Sequence, residues 1–201
     1  MCNNERIYVD LHVLQTVPPS CVNRDDTGSP KTAVYGGVTR ARVSSQAWKH
    51  AMRLQFRDML SQEDVGQRTK TVVDLIAEQV AVLCPDCTEK QAQDAAKKVL
   101  EAAGVKVKED KDKLKTGALF FISPSQVHAL AEIAARQEKA PNKAECQDAL
   151  KANPSLDLAL FGRMVADNPC LNFDAAAQVA HSISTHAVQN EYDYFILSGG
   201  H

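Results

Sequence analysis

Six basic residues lie between Lys31 and Arg57, and this stretch contains no aspartate or glutamate. The chain as a whole, by contrast, carries a formal net charge of -2 at pH 7. The six basic residues are Lys31, Arg40, Arg42, Lys49, Arg53 and Arg57. A local excess of positive charge in a slightly acidic chain is typical of a surface that binds a polyanion, such as the phosphate backbone of a nucleic acid.

The spacing around the first arginines predicts how they are presented. Gly36 and Gly37 allow the backbone to turn tightly or to approach a ligand closely. Arg40 and Arg42 are two residues apart, so in an extended segment both side chains point to the same side. We therefore expect these two arginines to face one ligand together.

A helix is predicted to follow these arginines. The Ser44-Ser45-Gln46 sequence is typical of a helix start, with a hydroxyl cap and polar groups that suit a phosphate. Lys49, Arg53 and Arg57 are four residues apart and share one helical face. The neighbouring face is predicted to be buried and to consist of Trp48, Met52, Phe56 and Met59. The alternative is that the basic residues form the solvated face of an ordinary amphipathic helix.

Two further motifs allow other chemistry. Asp25 and Asp26 are adjacent in a long loop, residues 21–37, where paired carboxylates can hold Mg²⁺. Without a third ligand, however, the favoured interpretation is an aspartate that caps a turn or pairs with Arg24. Cys84 and Cys87 form a CxxC motif, which suits redox chemistry or half of a zinc site, or else a turn between two helices. No second CxxC follows nearby, which argues against a zinc site. In a cytosolic chain of this length we expect free thiols.

Length and composition favour one folded domain, or one domain with an insertion. Of the 201 residues, 44% are hydrophobic, which is enough for a core. No apolar run is long enough to span a bilayer. The N-terminal residues MCNNERIYVD contain no apolar segment of a signal peptide. We therefore expect a cytoplasmic protein.

The hydrophobic pattern predicts strands near both ends and helices between them. Strand-like segments are Arg6 to Thr16, Ala118 to Ile122, Leu156 to Phe161 and His181 to Val188. Helix-like segments are 67–83, 88–103, 123–138 and 143–153, with a shorter one at 176–180. The helices predicted at 88–103 and 123–138 start with capping boxes, at Thr88 and Ser123 respectively. Residues 105–115 alternate lysines with acids and predict a solvated loop, in which the acids argue against nucleic-acid binding.

Gly162, Arg163 and Met164 follow the segment ending at Phe161. An arginine beside a glycine suits a phosphate contact. Met164 is interpreted either as a core residue or as an exposed wedge, because a flexible thioether packs well on flat surfaces such as bases.

The run from Val9 to Arg53 closely resembles the start of the CasC family, the repeated backbone subunit of the type I-E CRISPR complex Cascade. The motif NRDD at 23–26, the Gly36-Gly37 pair and the motif RVSSQAWK at 42–49 all resemble the pattern of that family. Two later segments resemble it as well, LALFGRM at 158–164 and AHSISTH at 180–186. The matches follow one another in order along nearly the whole chain.

The resemblance implies an α+β fold in which a partial RRM-like, ferredoxin-like palm (1–58 and 155–201) carries a helical finger insertion (59–154). It implies a non-enzymatic subunit that lines up in several copies along the crRNA guide, holds it for pairing with target DNA and contacts other Cascade subunits. It implies no cofactor, no metal and no membrane. In relatives the methionine equivalent to Met164 helps to splay the guide, which favours the wedge. The expected RNA-binding residues are Arg24, Lys31, Arg40, Arg42, Ser44, Ser45, Gln46, Lys49, Arg53, Arg163 and Met164.

The resemblance stops near the end of the chain. Family members continue beyond a segment like EYDYF (191–195) into a thumb hairpin and further palm strands, whereas residues 196–201 here do not resemble the family. A shortened palm is therefore expected. Two alternatives stay open: a metal-dependent endoribonuclease that uses Asp25 or Asp26, and a truncated subunit that only docks on full-length partners.

Overall fold

The computed structural model describes residues 7–110, 113–136, 140–165 and 168–191. Contacts divide the chain into two compact units. Of the described residues, 7–44 and 181–191 form the first unit and residues from 45 to 180 form the second. Helices and small antiparallel sheets occur together, in agreement with the predicted mixed α and β class. The RRM-like palm and its predicted limits at 58 and 155 stay a prediction.

The first unit is a three-stranded antiparallel sheet. Strand β1 (Thr32–Tyr35) pairs with β2 (Val38–Val43), and β2 pairs with the short strand β7 (Ser182–Ile183). The turn between β1 and β2 is Gly36-Gly37, with φ of 64° and 77°. Two consecutive residues with positive φ are what a two-residue hairpin turn requires, and glycine adopts this conformation at little cost.

The predicted strand from Arg6 to Thr16 is not formed over its described residues, 7–16. Their side chains are exposed, Ile7 to 90% and Leu11 to 86%. The alternation of apolar residues indicates which face a strand would bury, but not whether another strand lies beside it. Among the described residues, no strand pairs with this segment.

The second unit contains six α-helices over its described residues. They are α1 (Ser45–Met59), α2 (Val72–Leu83), α3 (Glu89–Ala103), α4 (Pro124–Ala135), α5 (Lys143–Lys151) and α6 (Leu156–Phe161). The core lies among α2, α3, α4 and α5, where Ile76, Leu100, Leu130 and Leu150 are fully buried. None of these described helices is long and apolar enough to cross a bilayer.

Local capping explains where two of these helices begin. The Thr88 side chain accepts from the Gln91 backbone N–H, and the Gln91 side chain accepts from the Thr88 N–H. Ser123 and Gln126 repeat this reciprocal arrangement at the start of α4. Each pair satisfies two backbone donors that the first turn of a helix leaves without intrahelical partners. Both predicted capping boxes are confirmed. Glu138, the predicted end of the second of these helices, lies outside the described residues.

Two small antiparallel strand pairings complete the second unit. Strand β3 (Gln67–Thr69) pairs with β6 (Phe120–Ile122), and β4 (Val107–Asp110) pairs with β5 (Lys113–Thr116). The strand predicted at 118–122 is confirmed, and the predicted helix at 67–83 starts only at Val72. The prediction of a solvated loop at 105–115 was wrong, because Val107 and Leu114 pack against the core and hold the strands there.

Two predictions near the C-terminal side were also wrong. Residues 156–161 form helix α6, not a strand, and residues 176–180 form no helix. A short apolar run fits either state until tertiary contacts decide. The tertiary contacts that favour a helix at 156–161 involve the carboxylate of the buried Asp157. This carboxylate accepts hydrogen bonds from the N–H groups of Gly66 and Leu158 and from the Ser155 hydroxyl.

The CxxC motif joins α2 to α3. Cys84 and Cys87 are linked by a disulfide, so the expectation of free thiols was wrong for this pair. The turn between two helices is confirmed. Cys21 and Cys170 are free thiols.

Candidate nucleic-acid interface

The loop before β1 is ordered by Asp25, the third residue of the NRDD motif. The carboxylate Oδ1 of Asp25 accepts from the Thr27 N–H at 2.9 Å, the Thr27 hydroxyl at 2.7 Å and the Ser29 N–H at 2.9 Å. The hydrogen bond from the Thr27 side chain is the main reason that the pKa of Asp25 lies below its usual value. Asp25 therefore caps a turn, which is one of the two interpretations left open for it.

Asn23 connects this loop to the segment that leads into α1, a role that sequence reasoning missed. Its side-chain oxygen accepts from the Ser44 N–H at 3.0 Å, and its backbone oxygen accepts from the Lys31 N–H at 2.9 Å. Arg24 donates to the Gly28 carbonyl at 3.2 Å and is otherwise exposed. The loop therefore holds Arg24 and Lys31 at defined positions beside the sheet.

Arg40 and Arg42 lie on the same side of β2, as predicted, and both are half-buried. The Arg40 guanidinium donates to the Tyr35 carbonyl at 3.0 Å and to the Ser184 carbonyl at 2.9 Å. It thereby ties the hairpin turn to the chain beyond β7. The Nε of Arg42 is buried and has no hydrogen-bond partner among the described residues.

Helix α1 begins at Ser45, as predicted. Ser44 is buried, Ser45 is half-buried and Gln46 is exposed. The first turn contains no acidic residue, so no carboxylate there neutralises the positive end of the helix dipole. The predicted buried face is wrong, because no residue of α1 is buried and Met52 and Met59 are exposed.

The basic face of α1 is directed at aromatic rings. The Arg53 guanidinium carbon lies 5.0 Å from the centre of the Phe161 ring and 5.2 Å from that of Phe121. The Lys49 Nζ lies 5.8 Å from the Phe161 ring, which also stacks on Phe56 at 6.1 Å. A cation over an aromatic face is attracted by the ring quadrupole. Lys49 and Arg53 therefore help to attach α1 to Phe161 of α6, and Arg53 also contacts Phe121 of β6. The sequence did not reveal this role of the two phenylalanines.

Burial lowers the pKa of Arg53, and the negative charge of Asp157 opposes this effect. One oxygen of Asp157, Oδ2, is buried without a hydrogen-bond partner among the described residues, and so is the Nε of Arg53. The two groups thus interact through charge rather than through a described hydrogen bond. Arg57, at the end of the helix, is exposed.

Arg163 occupies the interior, which corrects its predicted place at an RNA surface. Its side chain is 6% exposed, and burial lowers its pKa to about 10. Its guanidinium donates to oxygens within 3.4 Å, those of the Leu171, Phe121 and Leu150 carbonyls and the Gln126 amide. Because all three guanidinium nitrogens are engaged, Arg163 is not available to a phosphate. It joins segments that are distant in sequence.

The two neighbours of Arg163 differ from it. Met164 is 86% exposed, which excludes the core interpretation and leaves the wedge as a prediction. Gly162 has a φ of 73°, and a Cβ there would lie 2.7 Å from the Phe173 carbonyl oxygen. Only glycine fits this turn without strain, which accounts for the glycine in the LALFGRM motif.

The structure therefore sorts the predicted residues into groups. In the first unit, the loop and the sheet carry Arg24, Lys31, Arg40 and Arg42, and Ser44 ends that unit. In the second unit, Ser45, Gln46, Lys49 and Arg53 share the first half of α1, Met164 is exposed elsewhere, and Arg163 is internal.

Comparisons with known proteins agree with this arrangement of sequence and fold. The sequence profile of the CT1975-like protein family matches residues 9–198. A solved chain described as "CRISPR RNA-guided surveillance complex" is similar with a TM-score of 0.69 and 33% identity, over 86% of this chain and 57% of its own. A second, "CRISPR RNA-guided surveillance complex, pre-nicking", is similar with a TM-score of 0.66 and 31% identity, over 84% of this chain and 50% of its own.

The chain thus spans about half the length of the solved chains it matches. A search of curated proteins found no match. The family profile covers most of the sequence, and the structural similarity exceeds 30% identity. The chain therefore belongs to the CT1975-like family of CasC-type Cascade subunits, which confirms the resemblance seen in its sequence.

Proposed function

We propose that this protein is an RNA-binding backbone subunit of a CRISPR surveillance complex. The observation that carries the proposal is the basic stretch 31–57, which lies on a sheet and a helix of a chain similar to RNA-guided surveillance complex chains at 33% identity. The guide RNA would contact the basic residues of each unit. Several copies would bind one guide, and the guide would pair with target DNA by its own bases.

Phosphate contacts would come from two places. On the first unit, Arg24 and Lys31 of the ordered loop and the half-buried side chain of Arg42 would contact the backbone. On α1, Lys49 and the helix start at 44–46 would do so. Lysine acts as a compact point charge on a flexible stem and reads no sequence. Binding of this kind accepts any guide, as a subunit that holds variable spacers requires.

Arg40 and Arg53 would serve this function indirectly. Arg40 is engaged with two carbonyls of its own sheet, and Arg53 with two aromatic rings. Arg40 and Arg53 would hold β2 and α1 in position rather than provide the main phosphate contacts. Met164, with its exposed thioether, would pack on bases of the guide.

Scaffolding is favoured over cleavage because of the state of the acidic pair. One carboxylate oxygen of Asp25 accepts three hydrogen bonds from its own turn, so that oxygen is committed before any metal arrives. The described residues contain no group of three or more metal-ligating side chains. We accordingly assign the chain a binding role and propose target DNA, further copies of itself and other subunits as its partners.

The proposal predicts salt-dependent binding of single-stranded RNA. With roughly four phosphates contacted per chain, the logarithm of the affinity should fall with the logarithm of the salt concentration with a slope of about -3. Fluorescence anisotropy with labelled RNA of several sequences measures this slope, and we expect similar values for all of them. Failure to bind any RNA at about 50 mM salt would reject the proposal.

The same RNA, incubated with Mg²⁺ or Mn²⁺, should stay intact. Cleavage that disappears in an Asp26→Ala variant would instead support the endoribonuclease alternative, since Asp26 is the acidic residue of the pair not used by the turn.

A further inference from the structure

The antiparallel pair of β3 and β6 has two sides with different surroundings. Cross-strand partners lie on the same side of such a pair, and successive residues alternate between sides. Phe120 and Ile122 of β6 belong to the hydrophobic core. Phe121 lies between them in sequence, so its ring is on the opposite side of the pair. Arg68 of β3 is the cross-strand partner of Phe121 and therefore shares that side.

The basic residues of α1 lie over this second side. The Arg53 guanidinium carbon is 5.2 Å from the centre of the Phe121 ring. Arg53 and Lys49 also lie over the ring of Phe161. Arg68 is thus placed beside the same ring as Arg53, and all of these residues belong to the second unit. The cations of Lys49, Arg53 and Arg68 consequently share one site around two aromatic rings.

The positive charge of Arg68 is not paired within the part of the chain that the structure describes. Its side chain is exposed and forms neither an ion pair nor a side-chain hydrogen bond with the described residues. The carboxylate nearest in its effect is that of Asp157, which is buried and already accepts three hydrogen bonds on one oxygen. Asp157 acts on Arg53, and Arg68 keeps its charge for another partner.

The two guanidinium groups also repel each other. Burial is the main reason that the pKa of Arg53 is lowered, the charge of Asp157 opposes this effect, and the charge of Arg68 lowers the pKa further. Two like charges beside one ring do not stabilise the fold. An anion that binds between them removes the repulsion, because it is attracted by both. The site therefore favours a negatively charged ligand.

The side chains also indicate the form of that ligand. The planar guanidinium donates two parallel hydrogen bonds, which suits a phosphate. Positive charge beside aromatic side chains is the combination with which proteins hold single-stranded nucleic acids. Here Phe161 is half-buried and stacks on Phe56, close to the cations. These features fit one phosphate of an unpaired strand.

We propose that Arg68 binds a phosphate of the guide RNA and extends the RNA-binding surface of α1 to β3. This inference rests on the proposed function, since the ligand is the same single-stranded RNA that Lys49 contacts. Arg53 holds its position over the rings, whereas Arg68, without an internal partner, donates to the phosphate. Arg68 lies outside the basic stretch 31–57, and only the pairing of β3 with β6 places it beside that surface.

The test compares three variants of the full chain. Arg68→Gln removes the charge, and Arg68→Lys keeps the charge without the guanidinium fork. The control is Arg136→Gln, which changes the net charge as much as Arg68→Gln does. Arg136 is already paired with Glu145 at 2.8 Å, so its charge is compensated. Fluorescence anisotropy with labelled single-stranded RNA is measured across a salt series, and circular dichroism follows the thermal melting of each variant.

We expect Arg68→Gln to bind the RNA about five- to tenfold more weakly at about 50 mM salt, with a salt slope reduced by about one. Arg68→Lys should keep the wild-type slope, and Arg136→Gln should keep both the slope and the affinity. Because Arg68 pairs with no described residue, the melting temperature of Arg68→Gln should stay within about 2 °C of the wild type.

Four results would overturn the assignment of Arg68. They are unchanged affinity and slope in Arg68→Gln, an equal loss in Arg136→Gln, a slope in Arg68→Lys as low as in Arg68→Gln, and a weaker affinity of Arg68→Gln together with a clearly lower melting temperature. The last result would give Arg68 a structural role. Each of them leaves the guide-binding proposal intact while the wild type binds RNA, whereas a wild type that binds no RNA would reject both proposals.

Discussion

Replacing Arg163 by alanine should lower the melting temperature of the chain by roughly 10 °C, because a charged donor set would be removed from the interior. The Leu171 and Phe121 carbonyls would lose the Arg163 donor, whereas the Leu150 carbonyl would keep the Gln126 amide as a donor at 2.7 Å. Each unsatisfied buried group costs about 1–3 kcal/mol, so a loss of at least about 2 kcal/mol in the free energy of unfolding is expected.

Arg136→Ala is the matched control for this experiment. Arg136 is also an arginine of the second unit, but it pairs with Glu145 at 2.8 Å while both side chains stay largely exposed. Such surface pairs are worth about 0–1 kcal/mol. Thermal melting followed by circular dichroism compares the two variants. An equal shift in both, or a small one for Arg163→Ala, would contradict the internal role derived for Arg163.

The second large effect concerns two basic residues of α1, Lys49 and Arg53, whose substitutions should affect RNA binding and stability differently. Lys49→Glu should weaken single-stranded RNA binding about equally for all sequences and reduce the salt slope by about one. Its loss of stability should be smaller than that of Arg53→Glu, because Lys49 contacts one ring and Arg53 two. Arg53→Glu should lower both affinity and stability. Its new carboxylate would lose the attraction of the Phe121 and Phe161 rings and would be repelled by the buried Asp157.

Two measurements on each variant separate these roles: anisotropy with labelled RNA and thermal melting. Arg53→Lys serves as the conservative control, since it keeps the charge over the rings but not the guanidinium geometry. Loss of stability in Lys49→Glu equal to that in Arg53→Glu would show that both residues only attach α1. Unchanged RNA affinity in Lys49→Glu would remove it from the RNA-binding surface.

Sequence reasoning succeeded where the signal was local. Thr88 with Gln91, and Ser123 with Gln126, fix helix starts through bonds between residues three apart, and the structure contains both. The Gly36-Gly37 turn and the same-side placement of Arg40 and Arg42 are equally local. The start of α1 at Ser45 belongs to the same class.

Sequence reasoning failed where contacts between residues distant in the chain determine the structure. Residues 7–16 alternate like a strand but have no described partner strand, and 156–161 become a helix around the bonds of Asp157. The burial of Arg163 depends on carbonyls that lie up to 42 residues away in the chain, so no local pattern signals it. The place of Arg68 depends on the register of β3 and β6.

The most direct test of the central claim is light scattering of the chain after size-exclusion chromatography, with and without single-stranded RNA. A single chain has a mass of 22.0 kDa. The account predicts RNA-bound complexes that contain several chains, in a number that rises as the RNA is lengthened. A folded chain that keeps its own mass in the presence of RNA of every length would contradict it.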